Sequence, residues 1–380
     1  MTKRLIILLV ILVLALSPTL TWAQTATPSA KKAKSAKKTK KQAPKTQEKP
    51  FDLKAIQDQA ELGDPIAQFQ LGFSYFNGQN VPLNKSLAAR WYRQAAEQGL
   101  AEAQFNLGVM LDRGDGLAQN QTEAVKWYQL AAEQNLAEAQ FNLAVAYELG
   151  EGLTKDPAEA RKWYQVAANL GLAKAQRALG LMYFRGQGLD QNKAEAVNWL
   201  QKAATKGDAK AQFWLGSILF KGDGAPINKK EAIAWLRQAA SQGQAEAQFN
   251  LGVIYDTGDG LKKNLKQAAK WYLMAANQGL VEAQFNLAVM NDRGEGLAKN
   301  PAEALKWYKK AADLGHADAQ YNLAVMLEKG EGGPVNREKA QEWYKKAAEN
   351  GSSEAQNYLA QSKNNSGANF QPKTKTKPAK

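Results

Sequence analysis

The chain has 380 residues, with 50 Lys and Arg against 36 Asp and Glu, a net charge of +14, one histidine and no cysteine. The lack of cysteine excludes disulfides and thiolate chemistry. The positive charge is unevenly placed: +2 falls in residues 1–23, +8 in 24–50 and +5 in 363–380, which leaves −1 for everything between.

Residues 1–23 begin with Lys3 and Arg4, continue through an apolar core at 5–16 and a Ser17-Pro18 break, and close on Thr21-Trp22-Ala23. This is the pattern of a secretory signal peptide, with the mature chain starting near Gln24. An uncleaved anchor is the alternative, but the core is shorter than the roughly 20 apolar residues that cross a bilayer. The nine lysines from Lys31 to Lys49 run against the bias that keeps positive charge inside, although the gap before Lys31 softens that conflict. Residues 24–50 are Lys, Ala, Thr and Pro without apolar periodicity and are expected to be disordered. Such an arm is attracted to anionic envelope surfaces such as phospholipid, lipopolysaccharide or acidic wall polymer; the plainer reading is a solubilising spacer. The tail at 363–380 repeats this composition in miniature.

Between the arms, Trp91, Trp127, Trp163, Trp199, Trp235, Trp271, Trp307 and Trp343 stand 36 residues apart, and an Ala-Gln pair keeps the same register from Ala67-Gln68 to Ala355-Gln356. A fixed period of this length marks stacked repeats. Asn84, Asn120, Asp156, Asn192, Asn228, Asn264, Asn300 and Asn336 are expected N-caps of each unit's second helix. Glu or Gln follows three residues later in six copies (Glu123, Glu159, Glu195, Glu231, Gln267 and Glu303), suggesting a capping box. Pro157 and Pro301 fit the first helical position. Gly99, Asn135, Gly171, Gly207, Gly243, Gly279, Gly315 and Gly351 suit a left-handed stop, so the second helix is expected to run about 14 residues.

The first helix shows a packing stripe at Ala103, Leu107, Gly108 and Leu111. The position of Gly108 is always Gly or Ala, as expected where another helix or its Trp lies against the backbone, and it ends at a recurring glycine, Gly78 through Gly330. Residues 51–62 align with a worn second helix stopped by Gly63, an N-terminal cap. Residues 352–361 form a lone first helix that closes the other end.

These residues resemble the Sel-one-like repeats, short relatives of the tetratricopeptide repeats. The pattern A-x-A-Q-x-x-L-G-x-x-Y…G-x-G…A-x-x-W-Y-x-x-A-A-x-x-G is carried here by residues 101–116 and 124–134. The resemblance covers residues 51–362, departing only where Asn135 replaces a glycine and where Gly332-Gly333 blur a turn. The expected fold is all-α: a right-handed α-α superhelical solenoid of 36-residue helix-turn-helix repeats, about eight full units and 17 full helices plus the cap. The resemblance implies an adaptor or regulatory scaffold that binds protein, and the lack of cysteine separates the chain from the disulfide-stapled branch of the family.

No catalytic, cofactor or metal site is expected. The histidine, His316, lies in an inter-repeat turn and is read as a surface substitution, and the acids recur in every unit like a solvated face. Ser29 to Lys32 and Ser35 to Lys38 match a serine-lysine motif, but composition explains both, and the repeat turn explains Arg113-Gly114-Asp115. By analogy with tetratricopeptide arrays, first helices line the concave surface, with positions Glu102, Phe105, Val109 and Asp112 facing outward. Down the array this gives an aromatic ladder (Phe69, Phe105, Phe141, Phe213, Phe249, Phe285, Tyr321) beside an asparagine ladder (Asn106, Asn142, Asn250, Asn286, Asn322). The rings would either offer apolar pockets or simply pack between successive first helices. The ladder breaks in the fourth and fifth units, where Lys174, Arg177, Phe184, Arg185, Lys210, Trp214, Phe220 and Lys221 turn the face basic and aromatic. With Phe141, Asn142, Phe249 and Asn250 these form the candidate partner site; drift is the alternative.

The expected protein is exported, periplasmic or secreted. Its expected ligand is a protein or peptide, acidic in character, with the lysine arms meeting an anionic envelope surface and no specific nucleic acid. The second reading is a cell-wall or polysaccharide binder that uses the arms and the aromatic face.

Overall fold

The computed structural model describes residues 52–364; the expected signal peptide, the lysine arm and the tail from residue 365 lie outside them. Among the described residues there are eighteen helices and no strand. A capping helix α1 (Leu53–Glu61) precedes eight helix pairs: α2 (Pro65–Asn77) with α3 (Lys85–Glu97), α4 (Ala101–Arg113) with α5 (Gln121–Glu133), α6 (Ala137–Leu149) with α7 (Pro157–Asn169), α8 (Ala173–Arg185) with α9 (Lys193–Thr205), α10 (Ala209–Lys221) with α11 (Lys229–Ser241), α12 (Ala245–Thr257) with α13 (Leu265–Asn277), α14 (Val281–Arg293) with α15 (Pro301–Asp313), and α16 (Ala317–Lys329) with α17 (Arg337–Glu349). The closing helix is α18 (Ser353–Asn364). Each helix packs on its chain neighbours, which is the quasi-one-dimensional contact pattern of a solenoid. None of the described helices is long and apolar enough to cross a membrane.

The expected N-caps form: Asn84 Oδ1 accepts from the Leu87 N–H at 3.0 Å and Asn120 Oδ1 from the Glu123 N–H at 3.1 Å. The capping box does not close. The N-cap N–H donates instead to a carbonyl near the end of the unit's first helix, as from Asn84 to Tyr75 (2.9 Å), Asn120 to Leu111 (2.9 Å) and Asn336 to Leu327 (2.8 Å). That bond ties the start of each second helix to its partner. The glutamates so released turn elsewhere: Glu123 accepts from the Trp127 indole at 3.3 Å and Glu231 from Trp235 at 3.2 Å.

The buried anchor of each second helix is the residue after the tryptophan. Tyr92, Tyr164, Tyr272, Tyr308 and Tyr344 are almost fully buried, whereas Trp91, Trp127, Trp163, Trp235, Trp271 and Trp343 stay half-exposed. Tyrosine, not tryptophan, therefore sets the small-residue rule on the first helix: a Cβ on Gly108 would stand 2.8 Å from the Tyr128 ring. In the fourth and fifth units the anchor is Leu200 and Leu236.

The Ala-Gln pair also gains a role. The Gln side chain donates to a carbonyl of the preceding second helix (Gln104 to Ala96 at 3.2 Å, Gln248 to Ala240 at 3.1 Å), and its oxygen accepts from the side chain 30 residues on (Gln134 to Gln104 at 2.9 Å, Gln278 to Gln248 at 2.8 Å). These are buried polar groups that join one unit to the next. Where the donor position is Leu170 or Leu314, the Gln140 and Gln284 oxygens have no partner.

Stacking also fixes the second turn glycine. Gly116 has φ +77, and a Cβ there would lie 2.4 Å from the carbonyl carbon of Lys85 in the preceding unit, so both the left-handed backbone and the close approach require glycine.

Candidate functional site

First helices of several units meet around one cavity of about 450 Å³, lined from Phe105 and Val109 on α4, through Phe141, Asn142 and Val145 on α6, to Lys174 and Arg177 on α8, Asp208 and Lys210 at α10, and Gln244 before α12. Residues so far apart along a solenoid can share a cavity only where the array curves inward, so first helices line the concave side. The outward stripe expected from Phe105, Val109 and Asp112 is present here.

The aromatic ladder behaves differently in its two halves. Except for Phe213, whose unit has Leu236 as its anchor, the rings pack on the anchor tyrosine of their own unit's second helix: Phe105 to Tyr128 at 6.1 Å, Phe141 to Tyr164 at 5.5 Å, Phe249 to Tyr272 at 5.7 Å. Phe69, Phe105 and Phe141 remain half-exposed, whereas Phe213, Phe249, Phe285 and Tyr321 are buried. Phe249 is therefore core and not a partner contact. His316 is not a plain surface residue either: its ring stacks on Phe285 at 4.5 Å, and Nδ1 accepts the Ala319 N–H at 3.3 Å as the cap of α16.

The asparagine ladder belongs to a buried network. Asn142 lies by Tyr128, as Asn286 lies by Tyr272 and Asn322 by Tyr308; of the acids at the end of the first helix, Asp112 and Asp256 lie by the same tyrosines, and the charge of Asp292 acts on Tyr308. Burial pushes these three carboxyls above the usual range. In the third unit Tyr164 donates to Glu148 at 2.7 Å. Asn250 is half-buried, and the anchor position of the preceding unit is Leu236, which offers no hydroxyl.

In the fourth and fifth units the whole network changes together. Phe184 and Phe220 replace the acids, and Leu200 and Leu236 replace the tyrosines. Lys193 lies over the Phe184 ring at 5.6 Å and pairs with Asp223 of the next unit; Lys229 lies over Phe220 at 5.4 Å and pairs with Asp259. The first unit has the same clasp, with Lys85 over Phe76 at 5.4 Å and paired with Asp115. The Phe, Lys and Asp part of the break is thus not unique to the middle of the array, since the first unit has it beside Tyr92, and it packs one unit on the next.

Arg177 is likewise no open cation. Its side chain is 9% exposed and forms an ion pair at 3.0 Å with Asp208, itself 14% exposed and the cap of α10 through the Ala211 N–H at 2.8 Å. These two occupy the places of Phe and Leu in most other units, where Phe141 and Leu172, for example, pack against one cluster. Trp214 packs on Phe184 at 6.0 Å and Phe213 at 5.9 Å, with Arg185 over its ring at 5.9 Å. Arg185 also lines a smaller pocket with Phe141 and Glu148. Phe220 is half-buried between two clusters, and burial lowers the pKa of Lys221.

Of the residues singled out in the sequence, the cavity brings together Phe141, Asn142, Lys174, Arg177 and Lys210. Lys174 lies 4.5 Å from the Phe141 ring centre, and burial lowers its pKa, with Glu138 opposing and Arg177 adding to the shift. Sequence reasoning missed the other wall, Arg113, Leu149 and Glu151. Burial raises the Glu151 pKa, and the charge of Asp112 adds to it. Among the described residues no group of acids, histidines or cysteines could hold a metal ion.

The Sel1 repeat model matches eight consecutive segments, 65–100, 101–136, 137–172, 173–208, 209–244, 245–280, 281–316 and 317–352. Among solved structures, the chain is similar to a protective antigen of uropathogenic Escherichia coli with an SLR fold, at 35% identity and TM-score 0.61 over 82% of this chain and 75% of that one. It is also similar to a Sel1 repeat protein of Oxalobacter formigenes, at 31% identity and TM-score 0.62 over 81% of this chain and 89% of that one. No curated protein matches it.

Proposed function

The chain belongs to the Sel1 repeat family, and from that premise we propose that it is an exported scaffold that holds a partner protein in its concave groove, in the cell envelope or after secretion. Proteins of Sel1 repeats generally mediate protein–protein interaction and are typically non-catalytic. The observation that carries the reading is the cavity of about 450 Å³, where two rings of the aromatic ladder, Phe105 and Phe141, are half-exposed among charges of both signs. Apolar floors with a few convergent polar groups are where ligands are held. The signal-like start supports export, and the lysine arms support contact with an anionic envelope surface.

A benzophenone amino acid in place of Leu149, 43% exposed on the cavity wall, tests this against the same probe in place of Val166, 39% exposed on a second helix. Irradiation in envelope extract should give a discrete protein adduct from position 149 and none from 166. Adducts from 166 alone would move the partner to the outer face. Retention on isolated cell wall that depends only on residues 24–50 would favour the polysaccharide reading.

A further inference from the structure

The charge along the concave face changes sign. In the second and third units first helices present Glu102, Asp112, Glu138 and Glu148, and the turn after them presents Glu151. In the fourth and fifth units the positions of Glu102 and Glu138 become Lys174 and Lys210. The cavity spans this boundary: Asp112, Arg113 and Glu151 line it from the second and third units, two acids to one base, and Lys174 and Lys210 from the fourth and fifth, with the Phe105 and Phe141 rings in the same lining. Arg177 and Asp208 lie among the lysines but cancel each other as an ion pair. From the sixth unit onward the same position is acidic again, at Glu246, Glu282, Asp318 and Glu354.

We propose that the groove takes a bipolar peptide segment of a partner protein, its apolar centre on Phe105 and Phe141, its basic residues toward Asp112 and Glu151, and its acidic residues toward Lys174 and Lys210. This rests on the groove being the binding site and adds what the ligand must look like. Complementary charges fix register and reject partners of uniform sign more than they add affinity. A uniformly acidic segment would set its charges against Asp112 and Glu151. The chain's own lysine arm, uniformly basic, would set them against Lys174 and Lys210.

The test uses the purified chain and three fluorescent peptides of about twelve residues, roughly 40 Å when extended. Each has the same Leu-Phe-Phe-Leu centre, flanked by a lysine block and a glutamate block, by lysine on both sides, or by glutamate on both sides. The bipolar peptide should bind tightest. The variant Lys174→Glu with Lys210→Glu, which installs the residue type of the other units, should lose roughly tenfold in affinity for it and come to prefer the lysine-flanked peptide. Glu151→Lys should move the preference the opposite way, toward the glutamate-flanked peptide. Equal binding of all three peptides, or an order that neither variant changes, overturns the bipolar ligand while leaving the groove as the site. Tightest binding of the lysine-flanked peptide, strengthened by deleting residues 24–50, would name the chain's own arm as the occupant and overturn it too. If none of the peptides binds and none blocks cross-linking from position 149, both the bipolar ligand and the groove reading fail.

Discussion

Arg177 and Asp208 offer a test of whether the middle of the array departs from its neighbours for packing or for binding. Arg177→Phe gives that position its usual residue, and by sequence alone it should be harmless. The structure says otherwise, because Asp208 would be left with a carboxylate only 14% exposed and no counter-charge. Removing one partner of a buried pair costs about 3–5 kcal/mol. The lower end applies here, since the Ala211 N–H still bonds to the carboxylate. Asp208→Leu alone strands the guanidinium and loses a helix cap, the cap being worth about 1 kcal/mol. The double change restores the Phe and Leu contact of the other units. It forfeits only the cap, which the helices after Leu100, Leu136 and Leu172 do without. It should therefore lie within about 1 kcal/mol of the parent; with the single changes at about 3 and about 4 kcal/mol, that gives a coupling energy of about 6 kcal/mol. Because a repeat array need not unfold in two states, the readout is hydrogen exchange resolved over α8 to α10, backed by urea melts. Additive effects of the two single changes, or a neutral Arg177→Phe, would refute the pairing.

Leu314→Gln and Leu170→Gln should each raise stability by about 1 kcal/mol by giving the buried Gln284 and Gln140 oxygens the donor that Gln278 gives Gln248; melts of the single variants check this, and a loss in both would mean the glutamine ladder is incidental. Gly116→Ala should cost about 1–3 kcal/mol, and more than Gly99→Ala, since both glycines have positive φ but only Gly116 has backbone within 4 Å of the added carbon. Asp256 titrates above its usual value because burial disfavours its charge and Glu295 adds to that, against the pull of Lys263. The folded state then binds the proton more tightly than the unfolded one, so this group's destabilisation is full at neutral pH and is relieved as pH falls through the folded pKa toward about 4. Asp256→Asn should flatten that part of the melting temperature against pH; an unchanged profile would count against it.

The repeat boundaries, the caps and the left-handed stops were legible because each depends on residues within a few positions of one another. The identity of the core residue was not. Trp and Tyr are adjacent on the second helix, about 100° apart, and either could face inward. The rarer tryptophan draws the eye, yet the ring against Gly108 is Tyr128. The capping box failed for a related reason: its acceptor competes with the carbonyls of Leu111 and its equivalents on a different helix, which spacing alone does not reveal.

The candidate site was harder because its residues are coupled across 9, 31 and 30 positions: Phe184 with Lys193, Arg177 with Asp208, and Lys193 with Asp223. In a single-period array a departure from the common residue signals function only if its spatial partner has not departed with it. Phe184 and Phe220 fail that condition, because Leu200 and Leu236 changed with them and the same clasp recurs at Phe76. Arg177 fails it through Asp208, and Trp214 through Phe184 and Leu200, since the hydroxyl an asparagine would face is gone. Arg185 and Lys221 are no departure at all, because Arg113, Arg293 and Lys329 hold the same position. Lys174 remains. It sits on Phe141, whose ring has the same counterpart in Phe105 of the preceding unit, and no packing change at Phe141 explains its charge. Lys210, next along the groove, carries the same sign. A partner that reads this groove therefore has two lysines beyond an aromatic floor to distinguish it from every other stretch of the array, and those two residues are where its selectivity should be lost first.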